Sequence, residues 1–349
     1  MVRRGWVTSQ GFLDLLSAAN LLPGPSSTEV ALGIGRERAG TRGMLVAGIS
    51  FITPAALMVL AIAMVYQRLG AFAATEWALS GIQAVVIVVI IRAALALAPT
   101  ALPAPAEWLI AVGGCILGLL GVHPVLILGA AALAMLLSRR RLAPAHLSLA
   151  VSWRLPALKL PGAATAAAAT VASTGLVPLF LVFLGVGALT FGSGYLLLAF
   201  LREAFVLPGL ITDKQLLDAV AVGQLTPGPL FTTATFIGYL LEGVPGAVVG
   251  TVGIFLPAFV FVALAHPFLS RMRASATLGA AMDGINAACI GLLLAVAVEF
   301  ARGVFAGLPG LLIAFGAAML AWRYRVSTVW LLVGGAVLGV AAGVLGADR

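Results

Sequence analysis

Apolar residues run along this chain in long uncharged blocks. They show neither the strict alternation of a half-buried strand nor the one-sided stripe of a soluble helix. Met44–Val65, Ile82–Ile91, Leu109–Leu137 and Leu331–Val344 contain no Asp, Glu, Lys or Arg, and several approach or exceed the roughly 20 apolar residues that cross a hydrocarbon core as a helix. The pattern predicts spans near 44–66, 80–98, 107–121 and 123–138, and again near 178–200, 246–267, 283–301, 304–321 and 328–346. Between the two sets lies a basic stretch from Arg139-Arg140-Arg141 to Lys159, punctuated by Pro144, Pro156 and Pro161. It reads as a connector, with room for an interfacial helix.

Composition strengthens this picture. Hydrophobic residues make up 62% of the 349 and charged residues 9%, with a mean hydropathy of +1.15, whereas soluble domains carry about 25% charged residues. A soluble fold has no core large enough to hide that surface, so the lipid bilayer is the solvent for most of the chain. The net charge of +8 arises from 20 Lys+Arg against 12 Asp+Glu, and most of the Arg stand in short loops between apolar runs. That placement suits the cytoplasmic loops of a multi-pass membrane protein and argues against nucleic-acid binding. Cys115 and Cys289 lie inside apolar runs, where a thiol behaves as a small hydrophobe, and His123, His146 and His266 lack metal-ligand spacing. No disulfide, metal or other cofactor is expected. Met1–Asn20 lacks the apolar core of a signal peptide, so no cleavage is expected either.

The chain repeats itself. Gly5-Trp6-Val7-Thr8 through Asp14 to Leu21-Leu22-Pro23-Gly24-Pro25 is echoed in register by Gly209-Leu210-Ile211-Thr212 through Asp218 to Leu225-Thr226-Pro227-Gly228-Pro229. After one residue of slippage the match resumes, pairing Gly35 with Gly238, Gly40 with Gly243, Gly43 with Gly246, Pro54 with Pro257, and Gly81-Ile82-Gln83-Ala84 with Gly284-Ile285-Asn286-Ala287. Loop charges then set relative orientation, since Lys and Arg accumulate on the cytoplasmic side. Arg36, Arg38 and Arg42 follow the first repeat helix, but their counterpart loop holds only Glu242. The next loop reverses the sign, with Arg68 and Glu76 in one copy and Arg271 and Arg273 in the other. These charges fit oppositely oriented copies if the Pro-Gly-Pro segments enter the membrane without crossing it. The expected fold is therefore an all-α, polytopic helical bundle of two inverted-topology repeats, each with an interrupted half-helix. The expected divisions are 1–138 for the first repeat, 139–177 for the linker and 178–349 for the second. The span at 178–200 has no partner in the first copy, which is expected to be shortened.

Pro-Gly-Pro inside an apolar run must break a helix, because proline lacks an N–H and pushes the preceding residue out of helical geometry. Pro25 and Pro229 suit the first turn of a new helix. Ser26, Ser27 and Thr28, and likewise Thr232 and Thr233, would then set hydroxyls and unpaired N–H groups at a helix start, which favours a bound anion. A lone Pro-Gly-Pro would read as a kink. Matched interruptions in two inverted halves point instead to a transporter's midplane site.

The segments Leu21-Leu22-Pro23-Gly24-Pro25 and Gly223-Gln224-Leu225-Thr226-Pro227-Gly228-Pro229, together with Gly187-Ala188-Leu189-Thr190-Phe191-Gly192-Ser193-Gly194-Tyr195, resemble the chromate ion transporter family over most of the chain. The resemblance implies an inner-membrane permease that exports chromate, a tetrahedral dianion similar to sulfate. It also carries the family's glycine-rich helix motif onto Phe191, Gly192, Ser193, Gly194 and Tyr195, with Thr190 just before it, and a charged pair onto Arg202 and Glu203. The first half lacks a counterpart of that helix and pair.

The candidate substrate-binding residues are thus Pro23, Gly24, Pro25, Ser26, Ser27, Thr28, Thr226, Pro227, Gly228, Pro229, Thr232 and Thr233. Thr190, Gly192, Ser193, Gly194, Tyr195 and Arg202 join them through the resemblance, and Gln83 and Asn286 as oxyanion donors or interhelical glue. Buried ionisable groups in a membrane are functional candidates. Glu29, opposite Thr233 in the other copy, Asp14 and Asp218, equivalent across the repeats, and Glu203 are candidates for coupling, with a packing role weighed slightly ahead for the two aspartates. The expected partners are the lipid bilayer and an oxyanion such as chromate or sulfate, with a homodimer as one allowed assembly. The leading expectation is secondary active efflux of chromate or a similar oxyanion, by alternating access around two facing half-helix starts. Its alternatives are a sulfate or other anion permease and a non-transporting membrane scaffold. No carboxylate cluster or activated nucleophile suggests an enzyme, and no Gly-x-x-x-x-Gly-Lys-Ser/Thr run suggests direct use of ATP.

Overall fold

The computed structural model describes residues 24–69, 72–142, 175–190, 194, 196–265, 275–305, 307–324 and 326–346. Every regular element among them is helical. The first four helices are α1 (Ser26–Leu69), α2 (Ala73–Ala101), α3 (Pro105–Leu119) and α4 (Pro124–Leu142). The second half holds α5 (Leu176–Leu189), α6 (Leu197–Leu201) leading into a π-helical turn Arg202–Val206, α7 (Asp213–Leu225), a 3-10 turn Leu230–Thr232, α8 (Thr233–Ala265), α9 (Ala276–Val304), α10 (Leu308–Arg323) and α11 (Thr328–Val344). The repeat continues through the helices after the Pro-Gly-Pro unit. The pair α2 and α9 are both 29 residues long, about 44 Å at 1.5 Å per residue. Each is followed by two shorter helices, α3 and α4 or α10 and α11.

Within α1 the backbone leaves helical geometry at Ala39 (φ −144°, ψ 28°) and Gly40 (φ 59°, ψ −147°). Within α8 it does the same at Glu242 (φ −135°, ψ 21°) and Gly243 (φ 62°, ψ −148°). The positive φ explains why both sequences place glycine there. Each break is a hairpin bend: a methyl on Gly35 would strike the Gly43 carbonyl and one on Gly238 the Gly246 carbonyl, contacts that a continuous helix would hold well apart. Each element is therefore a short arm (26–38 or 233–241) folded antiparallel onto a long arm (41–69 or 244–265). Thr235 and Thr251 join the second pair of arms through their hydroxyls at 2.7 Å.

The two hairpins cross-pack with opposite sense. Along the first short arm, Gly24 stands beside Ala258 and the Arg36 guanidinium donates to the Val262 carbonyl at 3.1 Å. Ahead of and along the second, Gly228 stands beside Ala55 and the Phe236 ring lies 5.1 Å from that of Tyr66. Each short arm runs parallel to the long arm of the other repeat and antiparallel to its own, so the two long arms are antiparallel. The repeats are inverted.

The later helices tie the halves together by exchange. Gly81 of α2 lets that helix lie directly on Gly335 and Gly339 of α11, while its counterpart Gly284 of α9 lies on Ala131 and Met135 of α4. Small residues serve here to bring backbones close, as membrane helices require in the absence of a hydrophobic drive between them. Outward-facing positions such as Leu109, Phe315 and Trp330 remain exposed, an apolar exterior that lipid tolerates and water does not.

The predicted spans coincide with helices, except that 304–321 starts before α10, which begins at Leu308, that 266–267 lie outside the described residues, and that one span needs correction. The expected span 178–200 is not continuous. Helix α5 ends at Leu189, Thr190 is extended (φ −82°, ψ 110°), Gly194 has φ 80°, and α6 starts afresh at Leu197. The glycine-rich segment breaks the helix because it must serve the two tips described below. The expected division into repeats and linker is not decided at its borders, since 143–174 lies outside the described residues, as do Asp14, Pro23 and the Arg271–Arg273 loop.

Antiparallel long arms put the two hairpin bends on opposite sides of the bilayer. Single cysteines replacing Ala39 and Glu242, each in a Cys115→Ser, Cys289→Ser background, are expected to react with a membrane-impermeant maleimide from opposite sides. Labelling of both from one side in sealed vesicles would contradict the inverted arrangement.

Candidate functional site

Helix α7 stops at Leu225 because Pro227 cannot donate the next helical bond. Thr226 (φ −82°, ψ 138°) and Pro229 (φ −72°, ψ 139°) are extended, and the chain reverses between them. Gly223 of α7 packs against Leu230 and Thr233, and Tyr66 touches both Asp218 of α7 and Phe236 of the returning arm. Leu225 to Pro229 is therefore the tip of a re-entrant hairpin. The first tip is described from Gly24 onward. There the Pro25 carbonyl accepts from the N–H groups of Thr28 (2.8 Å) and Glu29 (3.1 Å). Pro25 and Pro229 thus stand one residue before their helical segments, as N-caps, where the sequence reading put them in the first turn. The extended ψ of Pro229 prevents helical continuation there, and both carbonyls start the hydrogen-bond ladder of the helix that follows.

Each tip rests on the other repeat at an equivalent alanine. Gly24 meets Ala258 and Gly228 meets Ala55, and these alanines are almost fully buried at 1% and 0% exposure. Both follow a proline, Pro257 or Pro54. The Gly24 N–H also donates to the Thr190 carbonyl at 2.7 Å, while Gly194, four residues on, lies against the Phe231 ring at the start of the second half-helix. Four residues of chain reach at most about 14 Å, so the two helix starts flank one small region. Phe191, Gly192, Ser193 and Tyr195, on the bridging segment, lie outside the described residues.

The hydroxyls at the tips differ from the sequence expectation. Thr226 donates to the Gly223 carbonyl (3.2 Å), Thr232 to Pro229 (3.0 Å), Thr233 to Leu230 (2.7 Å) and Thr190 to Val186 (2.7 Å). Their protons are spent on backbone. Ser27 is exposed. Thr28, fully buried, has no partner for its hydroxyl, and neither oxygen of the buried Glu29 carboxyl has one. The tips also differ in access. Gly24 and Pro25 are buried, while Pro227 and Gly228 are exposed.

Asp218 is fully buried in mid-helix and accepts from the Tyr66 hydroxyl (2.9 Å) and the Gln83 amide (2.7 Å). This pins α7 of one repeat to α1 and α2 of the other, so the Gln83 amide and both Asp218 oxygens are engaged between the repeats. Asn286, the counterpart of Gln83, is half-buried on α9. Arg202 forms ion pairs with Asp213 (2.9 Å) and Glu299 (3.6 Å). Its charge is thereby compensated, which weakens the expectation that it steers an anion. Glu203 is half-buried in the π-helical turn.

Sequence reasoning missed Ala55, Ala258, Tyr66 and Lys214. The alanines had a signal, since each follows a proline that the repeat had already paired. Lys214, ion-paired with Glu76 at 2.8 Å, lines both a 230 Å³ cavity with Tyr66 and Gln215 and a 270 Å³ cavity with Ser80 and Gln83. Both cavities flank the Asp218 network. Among the described residues no group of His, Cys, Asp and Glu is arranged to hold a metal ion.

Comparison with known proteins agrees with this arrangement. The family model described as "Chromate transporter" matches residues 1–136 and 177–340. A "Chromate transport protein" of Pseudomonas aeruginosa is 32% identical over 356 residues, covering 96% of this chain and 83% of its own. One of Cupriavidus metallidurans is 30% identical over 340 residues, covering 97% and 84%. An uncharacterized transporter of Methanocaldococcus jannaschii is 24% identical over 339 residues, covering 94% and 84%. No solved structure matches.

The tip contacts leave no room for a larger side chain. Ala55→Leu is expected to push the second tip off its seat, lower stability by about 1–3 kcal/mol and abolish transport, and Ala258→Leu should do the same at the first tip. Thermal unfolding in detergent, alongside vesicle uptake, measures both effects. Unchanged behaviour in both variants would mean that the tips are not seated there in the working protein.

Proposed function

Because the chain belongs to the chromate transporter family, we propose that it moves chromate or a similar tetrahedral oxyanion across the membrane as a secondary active transporter working outward, without chemistry on the substrate. The observation that carries this reading is the meeting of two oppositely directed half-helix starts at one place, each seated on the other repeat. A helix start has unpaired N–H groups and about half a positive charge, and two of them together suit a dianion. The apolar surroundings, including Phe231, Phe255, Ala55 and Ala258, keep the local dielectric low and strengthen that attraction.

Alternating access follows from the same geometry. Inverted repeats related by an axis in the membrane plane can exchange conformations, and such exchange opens a shared site first to one side and then to the other. What supports it is the unequal exposure of equivalent residues, with Gly24 and Pro25 covered and Pro227 and Gly228 accessible. Asp218, Tyr66 and Gln83 join the two repeats and would have to shift when one repeat moves against the other.

Because Thr232 and Thr233 already donate to backbone carbonyls, the binding hydroxyl is Thr28. A hydrogen bond to a charged group is worth about 1.5–3 kcal/mol, so Thr28→Val should weaken oxyanion affinity about ten-fold or more. Thr232→Val and Thr233→Val should weaken it less than about three-fold. Counterflow with radiolabelled chromate and sulfate in proteoliposomes measures this, with each anion expected to compete with the other. Absence of counterflow for both anions in the unmodified protein would overturn the proposed function.

A further inference from the structure

Two carboxyl groups are sunk among these half-helices in opposite circumstances. Asp218 receives a donor on each oxygen. Glu29, 3% exposed, receives none. Its carboxyl folds back onto its own helix start, with Oε1 2.6 Å from the place a β-carbon on Gly24 would take, and the unpartnered Thr28 hydroxyl precedes it in the chain. Among the described residues, the elements around it offer no counter-charge. Segments 176–190 and 244–265 contain no ionisable side chain, and the long arm of its own hairpin carries only Arg42, Tyr66 and Arg68, close to its ends. On the short arm, Arg36 is engaged with the Val262 carbonyl, and Glu37 and Arg38 lie in the exposed bend. Across the tips, Arg202 is paired with Asp213 and Glu299, and Lys214 with Glu76.

An ionised carboxylate in that setting would be desolvated with no hydrogen-bond donor and only the partial charge of its own helix start to offset the loss. A metal cation is a poor remedy, since a single carboxylate would hold it against the positive pole of a helix. A proton meets both objections.

We infer that Glu29 is the proton-binding group of the transport cycle, carried as the neutral acid whenever the first tip is occluded, and that proton and oxyanion bind at that helix start together. The inference rests on the proposed anion site. An ionised Glu29 would itself be the anion nearest the helix pole, repelling the substrate and occupying its place. Protonation removes the repulsion and turns one carboxyl oxygen into a donor. The proton is taken from water on the side to which the site is open and returned to water on the other, and the O–H bond of Glu29 is the only bond made or broken. A dianion with one proton carries one net negative charge, which a membrane potential negative inside drives outward. The second repeat, with Thr232 and Thr233 in this region, carries no such group, so the coupling is one-sided.

The test combines infrared spectroscopy and binding on the full-length protein in lipid. At neutral pH the wild-type spectrum should contain a protonated-carboxyl C=O band that Glu29→Gln lacks and Glu29→Asp restores at a shifted position. As pH rises, chromate affinity of the wild type should fall in the window where that band disappears, by up to ten-fold per pH unit. The affinity of Glu29→Gln, whatever its absolute level, should stay flat across that window. Identical carboxyl bands in wild type and Glu29→Gln would overturn the inference, as would parallel pH profiles. If neither protein binds chromate or sulfate, the anion reading fails and the claim of joint binding fails with it, while the band difference still decides whether Glu29 holds the proton.

Discussion

A helix interrupted at membrane depth must find partners for its freed backbone groups, because hydrocarbon supplies none. In this protein both interruptions lie against the opposite repeat, and the first draws a hydrogen bond from it. The Gly24 N–H reaches the Thr190 carbonyl, and each Pro-Gly-Pro tip is seated against an alanine of the other long arm. Neither repeat could keep its broken helix alone. The same constraint explains why glycine and alanine occupy both sides of the contact, since a larger side chain would separate backbone from backbone and expose the break to lipid.

The exchange of the later helices serves the same end. Glycines at equivalent places, Gly81 and Gly284, bring α2 and α9 onto the last helix of the opposite repeat, so each half is clasped by the other. Without a hydrophobic drive between helices in lipid, close backbone packing and buried hydrogen bonds supply the cohesion. The Tyr66–Asp218–Gln83 network is one such bond set, and two cavities lie beside it.

Symmetry in the backbone is combined with asymmetry in the chemistry. The bends match in φ and ψ to within about ten degrees, yet one is rich in arginine and the other holds only Glu242. The tips match in the alanines they rest on, yet one presents an unpartnered acid and hydroxyl and the other threonines whose protons are already committed. A duplicated scaffold supplies two equal conformations, and unequal side chains make the two directions of movement chemically different.

The sequence alone determined the membrane setting, the helical class, the inverted repeat and the sites of interruption. Each of these follows from local quantities: apolar block length, the missing proline N–H, glycine where φ is positive, and the sign of loop charges. Tertiary structure decided what the polar residues do. Asp218 joins the repeats because Tyr66 and Gln83, 152 and 135 residues away in sequence, converge on it. Arg202 acquired Glu299 as a second partner, the predicted span 178–200 broke at Thr190 to reach both tips, and Ala55 and Ala258 became seats. Hydroxyl-rich helix starts read alike in sequence, but whether a hydroxyl proton is free depends on which carbonyl lies within 3 Å. Thr28 and Glu29 are left without hydrogen-bond partners, the described elements folded around them bring no counter-charge, and no pattern of spacing along the chain encodes that.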